Sequence, residues 1–268
     1  MNVTENWMDF VYRSIIHEPA ASHAQERKFM EGLSWKIPGG VWQRGCRHKL
    51  SDLGYSNSGT KMTQLTRDYM NLDDIELAHK AFHKRKDQSV TTWYISTIGA
   101  VKTNAQGHCI RGLVLHYTSP RVTLDKKPRL TIDIVYRTTE LLRKFGADLI
   151  FLTEILIPKV LEDNPWGITE PDEVRMYFSS CFFSALFIPV FFQYVDATEF
   201  LSNLYLVQGD SIFYRRCVYR TKTMLEKEPE TYKFASRKNM SEFAHRLISS
   251  GNIDKQKIQE FLKKECNI

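Results

Sequence analysis

Apolar and polar positions change period several times along this chain, and each change predicts an element. Over residues 1–33 apolar side chains return at helical spacing, with Trp7, Phe10, Val11 and Ile15 on one face, so the pattern predicts helix there. Residues 34–63 lose that period and are rich in Gly, Ser and turn signals, which predicts an extended, loop-heavy region. "LDDIELAHKAFHKR" (72–85) is an amphipathic helix opened by Asn71 as cap and by acidic residues in its first turn. "SVTTWYIST" (89–97), "IRGLVLHYTS" and "RLTIDIVYRT" are β-branched or aromatic and read as strands; the last two form a hairpin across the turn-rich "SPRVTLDKKP". "ADLIFLTEILIPKVL" (147–161) is apolar nearly all round and predicts a buried helix. "SEFAHRLISSG" and "DKQKIQEFLKKE" predict two short amphipathic helices near the end.

There is no internal repeat and no low-complexity tract. Hairpin strands interleaved with helices give an α+β class, a single domain over 1–268 with a mixed sheet and helices packed on one side. The most apolar stretch, "FSSCFFSALFIPVFFQYV" (178–195), carries Ser, Pro and Gln and is barely long enough to span a bilayer, so it is expected to be core rather than membrane.

Composition narrows the class further. The N-terminus has no basic region followed by an apolar run, so no secretory signal is expected. Five widely spaced cysteines without a CxxC suit reduced thiols in a cytoplasmic setting and suggest no metal site. The formal charge of +6 invites a nucleic-acid partner, yet the basic residues are scattered in clusters such as "HKRK" (83–86), "DKKPR" (125–129) and "YRRCVYRTK" (214–222). Solvated faces plus a pocket for an anionic small molecule account for that balance equally well.

Candidate chemistry centres on "NAQGHCIRGLVLHY" (104–117). Taken alone, Cys109 is either a small buried thiol at the mouth of a strand or a nucleophile. Its neighbours along the chain carry more. Trp42 precedes Asp52-Leu53-Gly54; then come the helix at 72–85, the strand at 89–97 and Gly107-His108-Cys109. After a strand pair follows "YRTTELLRKFGAD", from Tyr136 to Asp148.

That order resembles the thymidylate synthase family, including the pyrimidine hydroxymethylases. In that family a "DLG" step, a helix, a strand and an active-site "PCH" lead to "QRSxDxxLGxPFN". The spacing from Asp52 to Cys109 and from Arg137 to Asp148 matches without a gap, and the extra length falls in the 118–128 loop. The resemblance covers roughly the middle two-fifths of the chain.

The resemblance implies a thymidylate-synthase-like fold, a homodimer, and one-carbon transfer from 5,10-methylenetetrahydrofolate to C5 of a pyrimidine nucleotide. Cys109 would add to C6, which turns C5 into an enolate-like nucleophile. Glu140 falls on a family Asp and is the second catalytic candidate. Arg137 and Thr138 match the phosphate-binding Arg and Ser. Asn203 and Tyr205, in "SNLYL", are candidates for sugar contacts, and Trp42 for a folate platform.

Asp148 stands where the family has the Asn that reads uracil. A proton-sharing carboxyl presents one O–H and one C=O, which suits the edge of cytosine. The resemblance thus implies a dCMP- or CMP-like substrate and a methyl or hydroxymethyl product. Asp148 also suits a helix N-cap opening "LIFLTEIL", and Trp42 equally suits the core.

The departures are specific. His108 replaces the Pro before the cysteine, Ser89-Val90 replace an Arg-Arg pair, and the "RTGTG" phosphate loop is absent. Two other classes therefore stay open, a nucleotide- or partner-binding relative without turnover and a basic nucleic-acid-binding protein.

Overall fold

The computed structural model describes residues 1–18, 20, 22–24, 26–98 and 109–266. Among these, β1 (Ser22–Ala24), β2 (Arg27–Pro38), β3 (Val90–Ser96), β4 (Ile110–Thr118), β5 (Arg129–Glu140) and β6 (Glu173–Ser184) form one mixed sheet, in the order β1-β2-β6-β5-β4-β3. Every neighbouring pair is antiparallel except β5 and β6, which are parallel. A parallel pair needs a crossover. Here it is α5 (Arg143–Phe151), which runs through a π turn at Leu152–Leu156 into α6 (Ile157–Leu161). Pro158 has no N–H to give to the preceding turn, which accounts for the widened register beside it.

The other helices are α1 (Val3–His17), α2 (Gly39–Trp42), α3 (Ser58–Tyr69), α4 (Leu72–Lys84), α7 (Ile188–Phe191), α8 (Ala197–Gln208), α9 (Ile212–Glu226), α10 (Ala235–Ser249) and α11 (Lys255–Glu265). The architecture is α+β. No helix of the described residues is long and apolar enough to cross a membrane.

Helices cover one face of the sheet. Phe10 of α1 stacks on Trp35 and Phe178, and Phe145 of α5 meets Trp35, Tyr136 and Phe178 edge-on. These rings form the centre of the core. On the opposite face Asp133 pairs with Arg175 at 2.7 Å and with His116 at 3.1 Å, in a half-exposed polar network.

The 1–33 helix is corrected. Helix α1 ends at His17; Glu18 is extended, as a residue before proline prefers, and the chain returns as a strand from Ser22. The charges of Arg27 and Lys28 obscured that strand's alternation. Lys28 is buried nonetheless, because its ammonium donates to the Ile15 carbonyl at 2.7 Å. The loop-heavy reading of 34–63 also needs correction, since the end of β2, α2, a 3-10 turn (Leu50–Leu53) and the start of α3 lie there. Asn57 caps α3, and Leu65 and Tyr69 are its buried side. The helix expected at 147–161 begins four residues earlier, and the apolar run at 178–195 is the end of β6 followed by α7.

One feature of the sheet positions the site. In β2 the buried residues are Lys28 and Met30, then Trp35 and Ile37; in β6 they are Val174, Met176 and Phe178, then Cys181 and Phe183. In β5 alternate residues from Leu130 to Tyr136 are buried, then Thr139. Each strand thus exchanges its inward parity part-way along. Pairing skips Gly32, Ser179 and Arg137 at the changeover, and the β4–β5 register shifts between Ile110 and Gly112. Gly32 has φ +66, which only glycine adopts cheaply. Aligned irregularities of this kind re-aim side chains. Beyond the line, Thr139 is turned inward, with Cys109 at the mouth of β4.

Candidate functional site

Helix α5 is anchored first. Glu140 ends β5 with its carboxylate accepting from the backbone N–H groups of Leu142 (2.9 Å), Arg143 (2.6 Å) and Lys144 (3.1 Å). These are orphan donors at a helix start, where negative charge is favourable. Burial pushes the Glu140 carboxyl up to about 7, against the pull of those amides. The structure places Glu140 as the fastener of α5, with both oxygens engaged.

Because α5 starts there, Asp148 lies inside the helix and caps nothing. It is only 3% exposed, and its Oδ2 is buried without a hydrogen-bond partner. Burial raises its pKa to about 7, opposed by the charges of Lys61 and Lys144. The Tyr136 hydroxyl is likewise buried and unpaired; burial, and then the charge of Asp148, hold it well above the ordinary phenol value. Unsatisfied buried polar groups are rare because each costs roughly 1–3 kcal/mol. Here two such groups lie within electrostatic reach of each other.

Cys109 joins them. Its backbone N–H donates to the Tyr69 hydroxyl at 3.0 Å, and its carbonyl accepts from the Arg137 N–H at 2.9 Å. The side chain is 6% exposed. Burial, and then the negative charge of Asp148, push the thiol up to about 11, while Lys144 and side-chain hydrogen bonds with Thr139 and Tyr69 pull it down. Cysteine, carboxyl, two phenols and two ammonium groups thus act on one another at one spot.

The segments that carry the resemblance also meet. Arg143 donates from Nε to the Leu53 carbonyl (3.1 Å) and from Nη2 to the Gly54 carbonyl (3.2 Å). Gly146 packs so closely on Trp7 and Leu53 that a Cβ there would lie 2.6 Å from the indole.

The remaining expected residues are placed differently. The Arg137 side chain is exposed and Thr138 half-buried, at the changeover in β5. Trp42 is 5% exposed and belongs to the core, so it offers no ring face for stacking a folate. Asn203 donates to the Tyr12 hydroxyl at 2.6 Å, and Tyr205 packs on Tyr214, which ties both to the α1–α8–α9 packing. Gly107 and His108 lie outside the described residues.

Sequence reasoning missed Lys61, Tyr69, Tyr136 and Lys144. Lys144 stands four residues before Asp148, a spacing that was legible once the helix start was known. Lys61, Leu65 and Tyr69 share one face of α3 and become visible only when "SGTKMTQLTRDY" is read as helix. In comparisons with known proteins, no family model matches the chain and no curated protein matches it.

Proposed function

We propose that the chain binds a pyrimidine nucleotide, with cytosine as its base, at the Cys109–Asp148 cluster, and that Cys109 adds to C6 so that a one-carbon unit can be placed on C5. The observation that carries this reading is the unpaired buried oxygen of Asp148 within the electrostatic reach of Cys109. A carboxyl poised near 7 shares its proton readily. Cytosine N3 accepts that proton's hydrogen bond, and the exocyclic amine donates to the other oxygen.

Base binding also changes the thiol. With its proton held against N3, Asp148 no longer opposes a second negative charge beside Cys109, and thiolate formation becomes easier. The nucleophile would thus be activated by the base it attacks. Addition at C6 leaves C5 electron-rich enough to form a bond to the one-carbon electrophile; loss of the C5 proton then expels the Cys109 thiolate from C6 and restores the ring double bond.

The one-carbon donor, methylenetetrahydrofolate, rests on the resemblance alone; buried Trp42 does not fit it as a platform, and no residue is assigned to it. A homodimer rests on the resemblance as well. A thiol held up to about 11 in the free protein favours a second reading, a relative that binds nucleotide without turnover.

Tritium release from [5-³H]-labelled dCMP or CMP, with and without the donor, separates the two. Release that disappears in Cys109→Ala supports transfer. Nucleotide binding without release from any pyrimidine nucleotide leaves the binding reading standing and removes the enzyme.

A further inference from the structure

A cleft of about 400 Å³ opens between the Gly54–Asn57 loop, α3, the start of α5 and α10. Its charged lining is Lys61, Arg143 and Arg246 against one carboxylate, Glu242. The cations outnumber the carboxylate, and none of the three forms an ion pair among the described residues. Arg143 spends Nε and Nη2 on the Leu53 and Gly54 carbonyls, and its guanidinium lies 4.1 Å from the Tyr55 ring centroid. The Arg246 guanidinium lies 5.6 Å from the Phe243 ring centroid and has no carboxylate partner among the described residues. Lys61 is half-buried, its ammonium lies 5.5 Å from the Tyr55 ring centroid, and that ammonium makes no hydrogen bond or ion pair among the described residues.

Three cations against one carboxylate, around a cleft that also carries amide and hydroxyl donors, suit an oxyanion. A neutral or cationic ligand would leave their mutual repulsion unrelieved. The cleft is not a separate feature of the surface. Lys61 lines it and is also the leading cation acting on Asp148.

We propose that this cleft is a phosphate site, with Lys61, Arg143 and Arg246 as its cations, and that it holds the phosphate of the nucleotide whose base lies at Asp148. The second half of this statement rests on the reading of the cluster as a pyrimidine site. It assigns the phosphate to residues other than exposed Arg137, the position the resemblance implies.

Calorimetric titration of the full chain with inorganic phosphate, dCMP and deoxycytidine tests it, using Arg246→Gln, Lys61→Met and Arg137→Gln. Arg246 is exposed, so its variant is expected to fold, and a thermal melt checks this. Losing one charge-assisted contact is expected to weaken phosphate and dCMP about tenfold or more, with deoxycytidine unchanged in Arg246→Gln. Arg137→Gln is expected to bind phosphate like the parent. The proposal is overturned if Arg246→Gln and Lys61→Met both bind phosphate like the parent, or if Arg137→Gln alone loses it. Phosphate binding that depends on Arg246 without any deoxycytidine binding keeps the cleft and removes the base site. Deoxycytidine binding with phosphate indifferent to Arg246 removes the cleft and keeps the base site.

Discussion

Replacing Asp148 by Asn gives a stability signature that requires no substrate. The carboxyl ordinarily titrates at 3.8 and is raised by burial to about 7 in the fold. A raised carboxylate pKa means that the folded state holds a proton the unfolded chain has already lost. Stability therefore falls as pH rises from about 4 to about 7 and then levels off. At about 1.4 kcal/mol per tenfold difference in acidity, the penalty above neutrality is about 4 kcal/mol. Asn carries no such charge. Relative to the parent, Asp148→Asn is expected to gain about 3 kcal/mol between pH 5 and pH 8, read from urea denaturation at each pH. Glu140 titrates in the same range but is present in both proteins, so it cancels in the comparison. A variant whose stability relative to the parent is the same at both pH values would show that Asp148 is satisfied in the fold.

Other expectations follow from the same geometry. Asp148→Asn removes the negative charge that raises Cys109, so alkylation of Cys109 by iodoacetamide at pH 8 should be faster than in the parent; an unchanged rate would separate the two groups. The same variant should shift nucleotide preference from cytosine toward uracil in competition binding, because the amide donor–acceptor pair is reversed. Glu140→Gln leaves one acceptor for three backbone donors and should cost about 1–3 kcal/mol in thermal or urea unfolding. If it instead left stability intact and removed activity, Glu140 would be catalytic and not a fastener. Gly146→Ala drives a Cβ into Trp7 and Leu53 and should destabilise by about 1–3 kcal/mol; a neutral result would mean the α1–α5 contact is looser than described.

Much of the fold was legible because its signals are local. Asn71, the acidic first turn and the apolar face fixed α4 to within a residue, and the alternation in β3, β4 and β5 placed the hairpin. What was lost depends on distant partners. Lys28 reads as a surface residue until the Ile15 carbonyl is there to receive it. Helix α3 hides its two buried residues among Gly, Ser and Thr, and α9 hides buried Cys217 and Arg220 inside "YRRCVYRTK".

In the site, the spacing from Arg137 to Asp148 was enough to single out Asp148. It could not reveal that Glu140, rather than Asp148, secures the helix start, since that follows from three backbone contacts. The parity change along β2, β6 and β5 was equally invisible, because it exists only when the strands lie side by side. It decides which side chains meet at Cys109.

Whether Cys109 attacks C6 of a cytosine base held by Asp148 can be read by mass spectrometry of the intact chain after incubation with 5-fluoro-dCMP and methylenetetrahydrofolate. Fluorine cannot leave C5 as a proton does, so an adduct formed there is trapped. The expected result is a covalent ternary adduct, mapped by proteolysis to the peptide containing Cys109 and absent in Cys109→Ala. An unmodified chain under conditions where dCMP demonstrably binds, or an adduct on another cysteine, would contradict it.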